Sequence, residues 1–354
     1  MLTPKQKAKY ADGVASKKDA PPAVAPCSGP ATSGLSLPRA QPVTLGNYTV
    51  VQGRRAIGAG SFGQALEVQH NTSGRRMTLK MFHDADTGKS ELRAYGVLGR
   101  AVRDARLHEA ACPFLRIHDF CEVPPIMWMV MPLIGSGDLW KQLKSRRITR
   151  REASNIMHDA WVALQFMHEK AQLLHLDIKP QNMLWTGDHA KLYIIDFSLW
   201  ERWPVPAKHQ LMQDYCTPGF RPPELVNRPR PMTQQRLREV VRPTVDLWSL
   251  GVVGACLAWS GIAEPGHRPM MQTAEWHDCG VCKRHLDLVS PAGTYLRPVL
   301  DKLLDMKPDR RCIEVAEAES LFGGMKERAI DLSVESLVER LHKELNTPDV
   351  VQIT

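Results

Sequence analysis

The spacing of apolar and polar residues changes from a period of two to a helical period along the chain. Between residues 48 and 82, three stretches alternate apolar and polar positions with turns between them, and they predict a β-meander: YTVVQG, QALEVQH and RMTLKMF. Leu92, Tyr95 and Leu98 then recur at helical spacing. Two further strands are predicted in FLRIHDFCEV and IMWMVMPLI. The first part is therefore β-rich with one main helix.

The pattern becomes helical after about residue 138. Thr149 and Glu152 have the spacing of a capping box, and an apolar stripe follows them, which predicts a long helix. A mostly apolar, buried helix is predicted over residues 243–260, and a last helix near Ser333. The fold class is therefore α+β and bilobal, with a β-rich N-lobe and a larger, mostly helical C-lobe.

Composition supports a large core and separates one end of the chain from it. Of the 354 residues, 43% are hydrophobic and 24% are charged, which suffices for a large core or for two lobes. The first 46 residues hold seven Pro and almost no large apolar residue, so they predict a disordered basic tail. The predicted organisation is a tail over 1–46, an N-lobe over 47–134, a C-lobe over 135–328, and a C-terminal helix and tail over 329–354.

The formal charge of +8 comes partly from the tail and partly from two basic clusters, 144–151 and 228–242. Basic surfaces favour acidic partners, but a solvated basic face explains each cluster as well. The clusters are not interleaved with aromatic residues, so nucleic acid is not indicated beyond the basic patches.

Targeting features point to an intracellular protein, cytoplasmic and/or nuclear. The N-terminus has no apolar signal-like region, and the longest apolar run, Leu247–Trp259, falls short of the about 20 residues that span a bilayer. The eight Cys form no disulfide framework. We therefore expect reduced thiols, no membrane insertion and, by default, a monomer.

Three glycines have the spacing G-x-G-x-x-G: Gly58, Gly60 and Gly63. Glycines let backbone N–H groups approach phosphates closely, yet the spacing alone also fits a dinucleotide site or a hairpin turn. The following residues, Gln64–Val68, continue as a strand rather than as a helix. This disfavours a dinucleotide-binding turn, which needs a helix there.

Lys80 lies in an apolar strand, where an ammonium group needs a counter-charge. Glu91 in the following helix can supply it, although a lysine that reaches the surface is the simpler alternative.

Four polar residues further along could carry chemistry. In HLDIKPQN, Asp177 could accept a proton and Lys179 could neutralise a phosphoryl group. Asn182, and Asp196 at the end of an apolar strand, could bind a metal ion. Each of them alone also fits an ordinary loop residue.

The order of these motifs is what is specific. The glycine loop, strand Lys, helix Glu, H-x-D-x-K-x-x-N and D-F-x are followed by Thr217–Glu224 (TPGFRPPE) and Asp246–Gly251 (DLWSLG). This series resembles the eukaryotic protein kinase family over about residues 50–325. Lys179 together with Thr217 is similar to the serine/threonine pattern. The resemblance implies transfer of the ATP γ-phosphate to Ser/Thr hydroxyls of protein substrates, with ATP and Mg²⁺ as cofactors.

The resemblance also implies roles for single residues. Asp177 positions the substrate hydroxyl as base, Lys179 stabilises the transferred phosphoryl group, and Asn182 and Asp196 hold Mg²⁺. The implied nucleotide-binding residues are Ile57, Gly58, Ala59, Gly60, Ser61, Phe62, Gly63, Gln64, Ala65, Thr78, Lys80, Glu91, Met131, Pro132, Ile134 and Leu184. Structural roles are implied for a Glu224–Arg311 ion pair and for Asp246 as the anchor of the catalytic loop.

Three positions near the nucleotide depart from the family pattern. Ala65 replaces the Val of the family and Thr78 replaces its Ala. One side chain is smaller and the other larger, so the total side-chain volume over the adenine is roughly kept. We therefore expect ATP binding to survive. Ser198 stands for the Gly of D-F-G, and its Cβ predicts a stiffer hinge.

A fourth departure concerns regulation. Leu176 precedes the catalytic Asp where the family has an Arg that pairs with a phosphate on the activation loop. The activation loop, residues 199–215, contains no Ser and no Thr, and Tyr215 is only a lesser candidate for modification. We therefore predict activity that is independent of activation-loop phosphorylation, with the loop held by packing of Trp200 and Trp203.

Substrate choice is predicted to be acidic or neutral rather than basic. Gln181 and Cys256 stand where Arg-directed kinases carry acids, and only Asp138 keeps one. Several arginines between Glu224 and Asp246 would favour acidic substrates, although a solvated basic insertion explains them equally well. They are Arg228, Arg230, Arg236, Arg238 and Arg242.

A possible zinc site and two alternative functions stay open. Cys279 and Cys282, with two His nearby, have a spacing that could bind Zn²⁺, but no second well-spaced pair accompanies them. A pseudokinase scaffold that binds nucleotide or partners without efficient catalysis is the main alternative function, and a small-molecule phosphotransferase is the other.

Overall fold

The structure is a computed structural model that describes residues 43–51, 56–109, 111–123, 126–146, 148–186, 191–226, 231–260 and 296–322. These residues belong to one compact unit that spans residues 42–354. Most of the predicted tail, the helix near Ser333 and the Cys279–Cys282 segment lie outside the described residues. Those three expectations, and the exact domain boundaries, therefore stay predictions.

The N-terminal part is a seven-stranded antiparallel sheet, as the period-two pattern predicts. Its strands are β1 (Thr44–Leu45), β2 (Tyr48–Val50), β3 (Gly58–Ala59), β4 (Gly63–His70), β5 (Arg76–Phe82), β6 (Asp119–Val123) and β7 (Ile126–Pro132). The order is β1-β2-β4-β5-β7-β6, and β3 pairs with β4. Only the second half of the predicted FLRIHDFCEV strand forms β6. Phe114 instead forms an isolated bridge with Ile194, and residues 115–118 form no regular strand.

Helix α1 (Ala85–Asp104) follows β5 and is longer than its apolar spacing alone predicts. Asp84 caps its start, since its carboxylate accepts a hydrogen bond from Thr87 N at 2.8 Å. The helix lies close to the sheet at Gly88, where a Cβ would collide with the side chains of Met127 and Phe82. This close approach turns Glu91 inward, and its side chain is fully buried.

The C-terminal part is mostly helical. Its helices are α2 (Leu139–Ser145), α3 (Arg150–Glu169), α4 (Pro223–Val226), α5 (Gln234–Val240), α6 (Pro243–Ser260), α7 (Arg297–Leu303) and α8 (Val315–Leu321). Short strands form two antiparallel pairs, β8 (Leu173–Leu174) with β11 (Glu201–Arg202) and β9 (Met183–Trp185) with β10 (Leu192–Ile194). The α+β, two-lobed fold class is confirmed.

Two predicted helices form for the predicted reasons. At the start of α3, Thr149 Oγ1 accepts a hydrogen bond from Glu152 N, and Glu152 Oε2 accepts one from Thr149 N, so the capping box is confirmed. Helix α6 is buried on nearly all sides, as its apolar sequence predicts. It packs against α3 and α7 and carries Asp246 into the interior.

Apolar side chains form three separate clusters. The largest joins α1, the inner face of the sheet and the helices of the C-terminal part, and the smallest lies on the outer face of the sheet under β1 and β2. The second cluster, which we call the loop cluster, comprises Leu174, Leu176, Leu211, Tyr215, Cys216, Leu225, Met232, Leu237, Val240, Val241 and Val245. It places an apolar core directly beneath the activation loop.

No single helix in the described part of the chain is long and apolar enough to cross a membrane, although α5 and residues Pro243–Ala258, bent by 56°, meet the length and composition requirement as a pair.

Candidate active site

Lys80, Glu91 and Asp196, which we call the lysine triad, meet between the two parts of the fold. Lys80 Nζ donates to Glu91 Oε2 at 2.6 Å and to Asp196 Oδ1 at 2.8 Å. The three residues come from β5, α1 and the turn after β10, so their contact requires all three elements to be in place. The predicted Lys80–Glu91 pair is therefore confirmed, and the alternative of a surface lysine is wrong.

Burial and mutual charge shift the pKa values within the triad. Burial alone would lower the pKa of Lys80, but the carboxylates of Glu91 and Asp196 outweigh it and hold that pKa above its ordinary value. Burial raises the pKa of Glu91 to about 7, although the Lys80 ammonium opposes the shift. Burial would also raise the pKa of Asp196, yet the contact with Lys80 keeps it below its ordinary value. Asp196 is thus the carboxylate that stays ionised.

Asp177 lies at the centre of a second hydrogen-bond network. Its Oδ2 accepts from Lys179 Nζ at 2.7 Å and from Asn182 Nδ2 at 3.1 Å, and its Oδ1 accepts from Thr217 N at 2.9 Å and Thr217 Oγ1 at 2.8 Å. Lys179 Nζ also contacts Thr217 Oγ1 at 2.9 Å. The structure thus brings together the catalytic-loop residues predicted from HLDIKPQN and joins them to Thr217, which lies beyond the activation loop.

Buried Asp246 holds the backbone of the catalytic loop. Its Oδ1 accepts from Leu176 N at 2.8 Å, and its Oδ2 accepts from His175 N at 2.9 Å and contacts His168 Nε2 at 2.9 Å. Leu176 has a φ of 62°, an unfavourable left-handed conformation for a side chain of its size, so these bonds offset local strain. Burial alone would raise the pKa of Asp246, but the bond with His168 outweighs it and lowers that pKa. The anchoring position predicted for Asp246 is confirmed.

A set of rings in edge-on and tilted contact connects α1 to the catalytic loop. Phe197 is fully buried, and its ring centre lies 5.0 Å from that of Tyr95 on α1 and 5.0 Å from that of His175. His175 Nδ1 accepts from Asp177 N at 3.1 Å, so its Nε2 carries the proton and donates to Ile195 O at 3.1 Å. Movement of Phe197 would therefore disturb both networks.

The glycine loop forms a tight hairpin above the triad. Gly60 N donates to Gly63 O at 3.0 Å, and Gly58 pairs with Ala65. A Cβ on Gly63 would collide with the backbone of Met81, so this glycine is required by the packing of β4 on β5. A Cβ on Gly60 would meet no atom within 4 Å, which leaves the tip open toward a ligand.

The predicted adenine residues line one face of the sheet and its edge. Ala65 lies opposite Lys80, and Thr78 lies opposite Met131, so these side chains share the face that carries the lysine triad. Met131 is buried, and the partly buried Ile134 and Leu184 pack against the main core. Ser198 has no positive φ, so its Cβ fits the backbone that it adopts.

Lys141 contacts the residue just before Gly58 of the glycine loop, and the sequence analysis did not predict this contact. Lys141, at the start of α2, donates to the backbone carbonyl of Ile57 at 2.6 Å and pairs with Asp138 at 2.9 Å. Nothing in the periodicity marks Lys141, because the contact joins residues that are far apart in the sequence.

The activation loop is held by apolar packing and by hydrogen bonds from both neutral and charged side chains. Leu176 is 0% exposed within the loop cluster. Tyr215 Oη donates to Glu201 Oε1 at 2.6 Å, and His209 Nε2 lies 2.7 Å from Glu201 Oε2. Burial raises the pKa of Glu201. Glu201, a buried acid within this loop, is a second residue that the sequence analysis missed, because its position in a strand of only two residues gave no periodic signal.

The two predicted tryptophans pack on different cores. Trp200 packs against the main core, and its Nε1 donates to Ser90 O at 2.8 Å, next to Glu91 on α1. Trp203 packs against the loop cluster. The predicted packing of both residues is confirmed, and Trp200 also connects the activation loop to the helix of the triad.

The predicted large-lobe ion pair is present. Arg311 donates to Glu224 through two nitrogens, at 2.6 and 2.9 Å, and its guanidinium lies 4.8 Å from the centre of the Trp248 ring. This buried pair fixes α4, which follows Thr217, against α6.

Comparisons with known proteins agree with this geometry. The chain is 27% identical over 201 residues to mouse ribosomal protein S6 kinase alpha-4, which covers 56% of the chain and 24% of that protein. It is 26% identical over 257 residues to human serine/threonine-protein kinase H1, with 66% and 54% covered. It is 28% identical over 214 residues to serine/threonine-protein kinase ppk25 of Schizosaccharomyces pombe, with 59% and 45% covered. The matches thus span about half or less of the length of these curated relatives.

A family model supplies the broader assignment. The model of the protein kinase domain matches residues 51–319, which is well over half of the chain and includes both hydrogen-bond networks. On this match, and on the resemblance seen in the order of the motifs, the chain belongs to the protein kinase domain family.

Proposed function

We propose that this chain is a serine/threonine protein kinase that transfers the ATP γ-phosphate to Ser/Thr hydroxyls of protein substrates. The observation that carries the proposal is the simultaneous assembly of the lysine triad and the Asp177 network. Lys80 reaches both Glu91 and Asp196, while Asp177 contacts Lys179, Asn182 and Thr217. A scaffold that does not catalyse has no need for both.

The residues of the cleft fit a nucleotide. The tip of the hairpin is unobstructed at Gly60, and the Lys80 ammonium remains charged because two carboxylates hold its pKa up. A buried cation of this kind can pair with the α- and β-phosphates. Ala65, Thr78 and Met131 supply a mainly apolar surface on the same face of the sheet for a flat ring.

The residues also fit Mg²⁺, which prefers oxygen ligands. Asp196 stays ionised, and its side chain is 26% exposed. Asn182 uses its amide nitrogen on Asp177, at O and Oδ2, which leaves its amide oxygen for a cation. The described residues contain no cluster of three or more His, Cys, Asp and Glu side chains suited to a metal, so the ion would rest on this pair and the phosphates. When bound, it would neutralise phosphate charge.

Asp177 and Lys179 would act on the reacting groups. The carboxylate of Asp177 can accept a hydrogen bond from the substrate hydroxyl and take its proton as the phosphoryl group is transferred. Lys179 Nζ, 2.7 Å from that carboxylate, would balance the charge of the phosphoryl oxygens. Thr217 fixes the other carboxylate oxygen and so orients Asp177 toward the hydroxyl.

The test is γ-phosphate transfer from labelled ATP to a mixture of generic proteins by the wild type and by Asp177→Asn. We expect transfer to Ser and Thr by the wild type, with a loss of about 10²–10⁴-fold in the variant. Phosphoamino-acid analysis identifies the acceptor. Nucleotide binding without Asp177-dependent transfer would contradict the proposal and favour the scaffold.

We further propose that this activity does not require phosphorylation of the activation loop. A phosphate there would need a cationic receptor, but the position before Asp177 is Leu176, fully buried among apolar side chains. Glu201, which lies within the loop, is acidic and would repel a phosphate on a neighbouring loop residue. The absence of Ser and Thr from residues 199–215 supports the same conclusion.

Phosphatase treatment of purified protein tests this second proposal. We expect activity to remain within about twofold, because no contact of the loop depends on a phosphate. A loss of activity that is reversed by rephosphorylation at any residue of the loop would refute it.

We propose that substrate recognition does not require basic residues near the acceptor Ser or Thr of the substrate. Asp138, the one acid that the sequence leaves for an arginine, already accepts from Lys141 N at 2.9 Å and pairs with Lys141 Nζ. Of the arginines between Glu224 and Asp246, Arg236 pairs with Glu239 and Arg242 with Asp309. We therefore expect neutral or acidic sites, and a positional peptide library that enriches Arg three residues before the acceptor would contradict this.

A further inference from the structure

The segment between α4 and α6 forms an unusual pair of contacts with the activation loop. Gln234, the first residue of α5, uses both polar atoms of its amide on a single loop residue. Leu211 N donates to Gln234 Oε1 at 2.8 Å, and Gln234 Nε2 donates to Leu211 O at 2.9 Å. The side chain thus satisfies both backbone groups of Leu211, as a neighbouring strand would.

The same arrangement occurs in the opposite direction. Gln213 of the activation loop donates from Nε2 to Met232 O at 2.9 Å and accepts at Oε1 from Met232 N at 2.9 Å. Each segment therefore contributes one glutamine that binds the backbone of the other. We call Gln213 and Gln234, with the backbones of Met232 and Leu211, the glutamine clamp.

The backbone groups that the clamp binds belong to buried residues, although the two glutamine side chains are only partly buried. Leu211 and Met232 are 4% and 7% exposed, and both belong to the loop cluster together with Leu176. Arg238 of α5 adds a bond to the carbonyl of His209 at 2.7 Å. Hydrogen bonds that are shielded in this way are costly to lose, because a buried backbone group is left without a partner.

The position of Gln234 is set by the start of its helix. Thr233 caps α5, since its Oγ1 accepts from Arg236 N at 3.2 Å. Leu237, one turn later, is fully buried in the loop cluster. The cap and this anchor fix the end of α5 that carries Gln234 against the activation loop.

The clamp lies a few residues before the catalytic contacts. Beyond Gln213, Tyr215 donates to Glu201, Cys216 N donates to Leu176 O at 2.9 Å, and Thr217 holds Asp177 Oδ1. A chain segment whose residues 211–213 are fixed has little freedom at residues 215–217. The orientation of Asp177 therefore depends on the order of the loop that leads to Thr217.

We propose that Gln213 and Gln234 are positioning residues, and that their clamp holds the activation loop in the conformation that binds substrate without any phosphate. The inference rests on the proposed kinase function and extends it, because it names the contacts that order the loop. Neither glutamine touches the nucleotide cleft, so the clamp acts through Thr217 and on the substrate side of the reaction.

The test uses Gln234→Ala and Gln213→Ala in the full chain. The two backbone N–H groups held by the clamp are direct reporters, so site-resolved hydrogen exchange should show lost protection at Leu211 in the first variant and at Met232 in the second. We expect kcat/KM for a peptide substrate to fall roughly tenfold in each, with the KM for ATP unchanged. Gln69→Ala is the matched control, since Gln69 Nε2 bonds the Gly74 carbonyl at 2.9 Å in the β4–β5 hairpin, and it should change neither readout.

A conservative variant separates positioning from folding. Gln234→Glu keeps an acceptor for Leu211 N–H but loses the donor to Leu211 O, so we expect retained protection at Leu211 and an intermediate loss of kcat/KM. If Gln234→Ala loses protection throughout α6, that variant has unfolded. The positioning role is then judged from the protection at Leu211 and the kcat/KM of Gln234→Glu. Unchanged kcat/KM despite exposed Leu211 and Met232 amides would overturn the positioning role.

The two proposals can fail separately. Fast exchange of the Leu211 and Met232 amides in an active wild-type protein would overturn the clamp and leave the kinase function intact. Protected amides in a wild-type protein that shows no Asp177-dependent transfer would overturn the function and leave the clamp as a structural feature.

Discussion

The lysine triad and the activation loop lie in one catalytic site but are ordered by opposite means. In the triad, three ionisable side chains meet within 2.6–2.8 Å, and their pKa values shift with burial and with one another. In the activation loop, most of the ordering comes from apolar packing and from hydrogen bonds to backbone groups, made by the glutamine amides, Arg221 and Arg238. Ionisable side chains therefore meet one another directly in the triad, whereas the polar side chains around the loop mainly bind its backbone.

The difference explains why Leu176 is compatible with an intact site. An arginine at this position would only help to order the activation loop, and in this chain packing in the loop cluster orders it instead. Lys80 and Asp196 have no such substitute, because an apolar contact cannot neutralise a phosphate or hold a cation.

Leu176→Arg is expected to have the largest effect. It would place a long cationic side chain in a fully buried site that is packed by apolar side chains, at a residue with a φ of 62°. We expect a loss of stability of roughly 3–5 kcal/mol, measured by urea unfolding, together with loss of activity.

Leu176→Met is its control, since it roughly conserves volume and should cost less than about 1.5 kcal/mol. A stable Leu176→Arg protein whose activity becomes dependent on phosphorylation would contradict the comparison, because it would mean that the loop can still use a phosphate receptor.

The raised pKa of Glu91 predicts that the free energy of unfolding depends on pH. Its pKa is about 7 in the folded protein and 4.5 ordinarily, so between these pH values the folded state binds more protons than the unfolded chain. The contribution of Glu91 to the free energy of unfolding should therefore decrease as the pH rises from 4.5 to about 7, by on the order of 3 kcal/mol, and be constant outside that window.

Urea unfolding of the wild type and of Glu91→Gln across this range measures the effect. Glutamine does not titrate, so the difference between the two proteins should fall as the pH rises. Parallel curves would indicate that burial does not raise the pKa of Glu91.

Trp200→Phe tests the contact between the two regions. It keeps a ring against the main core but removes the donor to Ser90 O and Oγ, beside Glu91. We expect a loss of about 1 kcal/mol in stability and faster hydrogen exchange in α1. Unchanged exchange in α1 would show that the activation loop and the triad are independent; Trp203→Phe, on the loop cluster, is the control.

The smallest effects are expected over the adenine. Ala65→Val and Thr78→Ala change volume in opposite directions on the same face of the sheet. Each single variant should change nucleotide affinity by about 0.5–1 kcal/mol, and the double variant should recover most of it. Purely additive effects in a titration with nucleotide would show that the two positions do not compensate.

Local patterns were sufficient for the main architecture and for the charged residues of the site. The strands β4, β5 and β7, the capping box of α3 and the buried helix α6 follow from spacing alone, because each is specified by neighbouring residues. The Lys80–Glu91 pair followed from the need of Lys80 for a counter-charge, whereas the contact of Lys80 with Asp196 was seen only in the structure.

The contacts that order the activation loop could not be predicted in this way. Gln213 and Gln234 are ordinary polar residues in the sequence, and each becomes specific only through the backbone of a segment about 20 residues away. Glu201 and Lys141 were missed for the same reason, since their partners are set by tertiary packing. FLRIHDFCEV was predicted too long because apolar content alone does not show where strand pairing begins.

The glutamine clamp has a consequence for how such a protein would be controlled. A phosphate is added and removed by other enzymes, whereas an amide that is bonded to a backbone is part of the chain from the moment of folding. The loop offers no Ser or Thr hydroxyl, and Tyr215 is 1% exposed. The order of this loop would then be set when the chain folds, and no modifying enzyme would be needed to establish it.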